Sequence, residues 1–272
     1  MGTTQRIMPG VSGEPNWGDL SKAITHISKT IEEEKELDNK NISPQEEGKI
    51  YKKISDRRTA HIKSAFKKLV ATGGGRKNIS DGGSKSIGKA GIKSARKITG
   101  FFSGVSGSGL QQTLTDIGFG SLQGKKFQDV IDYLLIFCSD SNEGMDETAA
   151  NKASCEVMKE VADLAGNDLY KFEELIKQYV YGTGLSDMLC KFWGLYIFEH
   201  LSQRFREKIE QNKGIEVAKE TFKIIKDDIA GQVKVLNTHR PIAKIDWRGA
   251  SGKEEINKIF DSVIKIICDE NN

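Results

Sequence analysis

The fold class is decided by residues 188–205, MLCKFWGLYIFEHLSQRF, whose apolar side chains recur at the spacing of an α-helix. The recurring positions are Met188, Leu189, Phe192, Trp193, Tyr196, Ile197, Leu201 and Phe205. Phe192, Trp193 and Tyr196 share one face of this helix. Such an aromatic stripe is more typical of a core-facing helix than of a cofactor or base-stacking site. The stretch therefore predicts a helix that packs into a core.

The same helical period extends on both sides of this stretch. It recurs at residues 127–138, 150–164, 217–233 and 256–267, and Gly166 stands where a glycine would end a helix. No alternating strand pattern competes with these segments. The sequence therefore predicts an all-α fold, a multi-helix bundle whose core is formed by residues 110–272.

Two further regions are expected to precede this core. Residues 1–45 are predicted to form a flexible, glycine-containing N-terminal tail, because their first part is rich in glycine and proline and poor in apolar residues. Within this tail, residues 24–31 have the character of a short helix, and Ser43–Pro44 marks a break or a helix start. Residues 46–109 are predicted to form a basic helical region that is interrupted by glycine-rich loops at 72–83 and 103–109. Ser84 is expected to cap the helix between those loops.

Composition limits the function classes. The hydrophobic fraction of 37% is enough for a core, and the 29% of charged residues does not reach the composition of a disordered chain. The four cysteines and four histidines are scattered without metal-ligand spacing, so no metal site and no cofactor are expected. No apolar run is long enough to cross a bilayer, and the thiols suit a reducing compartment. We therefore expect a cytoplasmic protein without a membrane partner.

Charge is concentrated in one part of the chain. Residues 49–97 hold fifteen Lys or Arg and two Asp, a balance of 15 − 2 = +13, although the whole chain carries only +3. This asymmetry indicates an anionic partner, either sequence-nonspecific nucleic acid or an acidic protein surface, while a solvated helix face is the alternative. The candidate contact residues are Lys63, Lys67, Lys68, Arg76, Lys77, Lys85, Lys89, Lys93, Arg96 and Lys97.

Catalytic motifs are not expected. Residues 83–90, GSKSIGKA, approach a phosphate-binding loop, but Ala90 stands where the magnesium-binding hydroxyl is needed, and no apolar strand precedes the loop. His200 lies in the aromatic helix and is predicted to be a hydrogen-bonded or surface histidine rather than a base. The sequence therefore predicts a protein that is not an enzyme and has no catalytic residues.

The N-terminus contains an unusual candidate site. Gly2 follows Met1. A second residue as small as glycine permits removal of the initiator methionine, which would leave a free glycine amine. Arg6 stands where a myristoylation motif requires Ser or Thr. Trp17 is the exception in a polar stretch and is a candidate docking anchor, together with Thr3 and Thr4. An ordinary disordered start is the alternative interpretation.

The order of these features resembles the QatB family, the B component of four-component Qat anti-phage systems. The resemblance lies in the MGTT start, the PNW element at 15–17, the basic region 66–102, the block GFGSLQG at 118–124, and the two helical segments 127–138 and 145–165. It covers most of the chain but includes no catalytic signature, so it rests on the order and character of the segments.

The resemblance implies partners and a role. Qat systems also contain an ATPase, an enzyme similar to QueC and a TatD-like nuclease. QueC-type enzymes activate a 7-deazaguanine carboxylate with ATP for attack by an amine. The resemblance implies that this chain is an adaptor and that Gly2 is modified by the QueC-like partner. Sequence-nonspecific nucleic-acid binding by residues 49–97 is the alternative function.

Overall fold

The computed structural model describes residues 17–39, 43–139, 144–238, 246–247 and 249–268. These residues form ten α-helices and no strand, which confirms the all-α prediction. The helices are α1 Trp17–Asp38, α2 Pro44–Thr72, α3 Arg76–Ser80, α4 Lys89–Asp116, α5 Phe127–Cys138, α6 Met145–Ala165, α7 Leu169–Tyr181, α8 Gly184–Lys213, α9 Ile215–Thr238 and α10 Ala250–Ile267.

Helix α8, which contains residues 188–205, is the centre of the bundle. It contacts α1, α4, α6, α7, α9 and α10. Its side chains are buried around most of the circumference, as expected for a helix enclosed on all sides. The ring of Trp193 stacks on Phe260 of α10 with 3.7 Å between centroids. The aromatic stripe is therefore core, as the sequence predicts.

Two glycines set how closely neighbouring helices approach α8. A Cβ atom on Gly91 of α4 would lie 2.6 Å from the ring of Trp193 and 2.9 Å from that of Tyr196. A Cβ atom on Gly194 of α8 itself would lie 3.0 Å from Ile229 of α9. The missing side chains therefore allow α4 and α9 to pack directly against the central helix.

Helix ends follow the local sequence signals. The side chain of Ser43 accepts a hydrogen bond from the backbone N–H of Glu46, and Pro44 begins α2. Gly166 ends α6 in the left-handed region, with φ 62°. These residues confirm the expected start of α2 and end of α6.

The predicted tail, residues 1–45, needs correction for residues 17–38. These residues form α1, whose apolar face packs against α2, α8 and α9. Leu20, Ile24, Ile27 and Ile31 are fully buried. Polar residues between these four positions make the apolar pattern hard to recognise in the sequence. The helices that cover them include α8 and α9, which are remote along the chain. Residues 44–45 of the predicted tail begin α2. Residues 1–16 and 40–42 lie outside the described residues.

The second glycine-rich stretch is not a loop. Residues 103–108 continue α4, and the helix has one non-helical residue, Gly109 with φ 81° and ψ 164°. Burial of Phe101, Phe102 and Val105 outweighs the low helix propensity of the glycines. Ser84 is not the cap, because Gly88 precedes the first residue of α4. One hydrophobic core takes in residues from both 46–109 and 110–272.

Among the described helices, none combines the length and the apolar character that a membrane crossing would need.

Candidate functional site

The loop that resembles a phosphate-binding motif leads directly into α4. At the start of that helix, the backbone N–H groups of Gly88 and Ala90 donate hydrogen bonds to the side chain of Asp146, with N···O distances of 3.2 and 2.7 Å. Asp146 lies in the first turn of α6, 56 residues from Ala90. The N-terminal end of a helix attracts anions, and here the protein's own carboxylate occupies it.

Two side chains of α8 complete this arrangement. The hydroxyl of Tyr196 donates to Asp146, and the Nε2 atom of His200 lies 3.0 Å from the same carboxylate oxygen. Tyr196 and His200 are fully buried. The cluster therefore ties α4, α6 and α8 together through one acidic side chain.

The protonation of His200 follows from its contacts. Burial lowers the pKa of His200 more than its hydrogen bond to Asp146 raises it, and Arg204 acts in the same direction as burial. Its second ring nitrogen, Nδ1, is buried without a hydrogen-bond partner. A proton there would be a buried, unsatisfied donor, so the neutral Nε2–H tautomer fits the site.

Asp146 is the charged member of the cluster. Burial alone would raise the pKa of Asp146, but the hydrogen bonds from His200, Tyr196 and the backbone of Ala90 outweigh that effect and hold the pKa below its usual value. Burial and the adjacent carboxylate raise the pKa of Tyr196 well above its ordinary value. The cluster therefore contains one carboxylate surrounded by neutral donors.

This arrangement distinguishes the loop at 83–90 from a phosphate-binding loop. Asp146 fills the position that a phosphate would take. Gly88 has φ 113°, and a Cβ atom there would collide with the carbonyl oxygen of Ile79. The loop therefore packs closely against the backbone of Ile79, and the N-terminal end of α4 is capped by Asp146, which is distant along the chain. Asp146 is not among the residues predicted from the sequence, because nothing local marks it as the partner of residues so far along the chain.

The ten candidate anion-contact residues include two distinct groups. The first group lies on α2 and α3 and faces acids of the protein; it consists of Lys63, Lys68 and Arg76. Lys68 lies 3.5 Å from Asp19 of α1, and Arg76 lies 3.2 Å from Asp261 of α10. Burial raises the pKa of Asp228 of α9, and the nearby charge of Lys63 offsets part of this rise. These cations contribute to packing between helices.

The second group lies on the first turns of α4. Lys89, Lys93, Arg96 and Lys97, with Asp81, Gly82 and Ile92, line an open depression of about 570 Å³. Lys89, Lys93 and Arg96 are exposed. Lys67, Lys77 and Lys85 are also exposed but do not line this depression. We call the surface formed by Lys89, Lys93, Arg96 and Lys97 the basic face of α4.

A groove of about 580 Å³ lies elsewhere, between α6, α7, α8 and α9. Its apolar lining includes Met188, Leu195 and Ile229, and its volume is within the range of ligand pockets. Ion pairs between Lys191 and Glu160 and between Lys226 and Glu156 join α6 to α8 and α9 at its rim.

The remaining predicted residues are at or beyond the N-terminal limit of the structure. Gly2, Thr3 and Thr4 lie outside the described residues, and Trp17 begins α1, although its side chain is not among those described. Among the described residues, no three His, Cys, Asp or Glu side chains are grouped so that they could hold a metal ion.

The described residues form an all-α bundle in which one partly buried acid, Asp146, joins three helices, and a cluster of cations lines a depression beside α4. The chain belongs to the QatB family, because the model of the Qat anti-phage system associated protein QatB matches residues 82–267. It is therefore a component of Qat anti-phage defence. No curated protein and no solved structure matches it.

The matched residues include the basic face of α4 and Asp146. They do not include α1, α2 or Gly2. The resemblance seen in the sequence is confirmed over the matched part of the chain.

Proposed function

We propose that this chain is a non-catalytic adaptor of a Qat system and that its N-terminal Gly2 is a substrate of a QueC-like partner enzyme. Membership of the QatB family carries the proposal, because it places the chain in a defence system with several components. The proposed partners are the QueC-like enzyme, an ATPase and a TatD-like nuclease, and the proposed location is the cytoplasm.

The chemistry needs only the amine of the chain. After removal of Met1, the α-amino group of Gly2 is a primary amine whose ordinary pKa, about 7.7–8.0, leaves a neutral fraction near pH 7. The neutral nitrogen attacks the carbonyl carbon of a carboxylate that the partner has activated with ATP. An amide bond forms, the activating group leaves, and the nitrogen loses a proton. Glycine has the least steric hindrance around that nitrogen.

The length of chain that precedes α1 suits delivery of Gly2 to a partner. Gly2 precedes Trp17, the first residue of α1, by 17 − 2 = 15 positions. An extended chain of that length spans at most about 50 Å. Gly2 can therefore reach a partner's active site while the bundle stays outside it. Thr3, Thr4 and Trp17 are the residues we propose for contact with that partner.

Substitution at residue 2 tests the proposal in cells that carry the complete system. Gly2→Glu should retain Met1, and Gly2→Pro should give a secondary amine in a ring. Both should abolish phage protection, whereas Gly2→Ala, which keeps a small second residue and a primary amine, should retain part of it. Helical content should be unchanged in all three. Full protection by Gly2→Glu would contradict the substrate role and would favour an adaptor that acts through its helices alone.

A second function, sequence-nonspecific nucleic-acid binding, is favoured by one observation. The cations of α4 are gathered on an exposed surface, whereas several of those on α2 and α3 face acids of the protein. The two functions are compatible, because Gly2 and the basic face of α4 belong to different parts of the chain.

A further inference from the structure

The basic face of α4 has the form of a strip rather than a scattered patch. Residues 89, 93, 96 and 97 fall within about 100° of the helix circumference, because each residue of an α-helix advances by 100°. They extend over about 12 Å of the helix axis, at 1.5 Å per residue. A linear row of cations matches a linear polyanion better than a single compact anion.

Three of the four side chains of this strip, those of Lys89, Lys93 and Arg96, are exposed among the described residues. Gly100 lies one turn beyond Arg96, and among the described residues a Cβ atom there would meet no atom of another element within 4 Å. Gly82 forms part of the other end of the depression, and Asp81 is an acid among the described residues that line it. The small residues Gly82 and Gly100 therefore leave room for a phosphate chain beside the cations.

Lys97 is held in place by α5. Its Nζ atom donates to the carbonyl oxygen of Ser139 at 2.8 Å and lies 5.7 Å from the centre of the Phe137 ring. These contacts fix one end of the strip relative to the bundle. A fixed charge loses less conformational entropy on binding than a mobile lysine does.

An acidic protein surface fits this strip less well than phosphates do. Protein interfaces are centred on buried apolar or aromatic anchors and are poor in lysine. Ile92, the apolar residue that lines the depression, is only 5% exposed. None of the large hydrophobic side chains that are exposed in the described part of the chain belongs to this lining. The surface therefore offers charge without an apolar anchor.

We propose that Lys89, Lys93, Arg96 and Lys97 form a binding strip for the phosphate backbone of nucleic acid, and that the cations of α2 are not part of it. The proposal rests on the second proposed function and specifies where it resides. Contacts with phosphates alone carry no sequence information, so the strip binds without base preference. Its position within residues 82–267 makes it part of the segment that matches the family.

Salt dependence gives a quantitative expectation. Four phosphate contacts predict that the logarithm of the association constant falls with the logarithm of salt concentration with a slope of about −3.6 for duplex DNA and about −2.8 for single strands. Affinity for duplex DNA should therefore fall roughly 100-fold between 50 and 200 mM salt.

The test uses the full-length chain with a fluorescent 20-base-pair duplex and a 20-nucleotide single strand. The variant Lys89→Glu, Lys93→Glu, Arg96→Glu keeps Lys97 and its structural contacts. The control variant Lys52→Glu, Lys53→Glu, Lys67→Glu changes three exposed lysines of α2. Each variant changes the net charge by 3 × (−2) = −6 and should keep the wild-type helical content and melting temperature.

We expect the α4 variant to lose at least about tenfold more affinity than the α2 variant, with a shallower salt slope. Equal losses in the two variants would overturn the strip and leave general nucleic-acid binding in place. No binding of wild type at 50 mM salt would overturn both. Displacement of the duplex by polyglutamate at a lower charge concentration than by unlabelled duplex would show that an acidic protein is the better ligand and would also overturn the strip.

Discussion

The carboxylate of Asp146 lies 2.7 Å from the backbone nitrogen of Ala90, so an acidic side chain from α6 occupies the N-terminal end of α4. The same carboxylate accepts hydrogen bonds from Tyr196 and His200 of α8. The helix that presents the basic strip is therefore fixed at its first turn by contacts with two other helices. This rigidity positions the cations of α4 relative to the bundle.

Loss of the Asp146 carboxylate should strongly destabilise the protein. Asp146→Ala leaves the buried donors of Tyr196, His200 and the α4 backbone without their acceptor, and breaking one partner of such a buried network costs about 3–5 kcal/mol. Asp146→Asn keeps one oxygen acceptor and should cost less. Denaturant unfolding of the purified chain measures both changes.

Asp132→Ala is the matched control for that experiment, because Asp132 is an exposed acid of α5. It should change the free energy of unfolding by no more than about 0.5 kcal/mol. A similarly small effect of Asp146→Ala would show that the cluster does not join the helices as described.

Stability should fall as the pH is lowered from 7 to 5. The folded-state pKa of His200 is lowered, so the unfolded chain binds a proton near its ordinary pKa of about 6.5 that the folded chain does not bind. The contribution of His200 to the free energy of unfolding is fully present above about pH 6.5 and is lost progressively below it. The groups that face His200 are Asp146, Tyr196 and Arg204, and Asp146 contributes only at lower pH, because its own pKa is also lowered.

His200→Gln tests the origin of this pH dependence, since glutamine retains an N–H donor but does not titrate in this range. The variant should flatten the stability profile between pH 7 and 5. His61→Gln is the comparison, because the pKa of His61 is also lowered but its side chain is only partly buried. A profile that flattens more with His61→Gln than with His200→Gln would contradict the assignment.

The close contact between α4 and α8 predicts opposite effects for two glycines of one helix. Gly91→Ala places a methyl group 2.6 Å from the Trp193 ring and should cost about 1–3 kcal/mol by overpacking. Gly100→Ala adds a methyl group in open space and should stabilise the helix by up to about 1 kcal/mol. Thermal unfolding of the two variants compares them directly, and equal effects would contradict the described packing.

Much of the fold follows from local sequence patterns. The apolar period of residues 188–205, the Ser43–Pro44 start and the Gly166 end predict helices that the structure contains. Helix α1 was harder to predict because its short apolar face becomes informative only once α2, α8 and α9 cover it. The helical state of 103–108 likewise depends on burial of its neighbours rather than on propensity.

The candidate sites were predictable only in part. The excess of cations in 49–97 is visible in the sequence, but their division between α2 and α4 depends on acids such as Asp19 and Asp261, which are distant along the chain. The role of Asp146 depends in the same way on contacts with residues 88, 90, 196 and 200. Non-local pairing of this kind leaves no signature in spacing or composition.

The central claim, that Gly2 is a substrate, is tested most directly by the intact mass of the chain after co-expression with its Qat partners. The account predicts a chain that has lost Met1 and gained the mass of the coupled acid less one water. Peptide fragmentation should place the added group on Gly2, and the addition should be absent when the QueC-like partner is inactivated. A chain that has lost Met1 but carries no added group in the presence of the active partner would contradict the account.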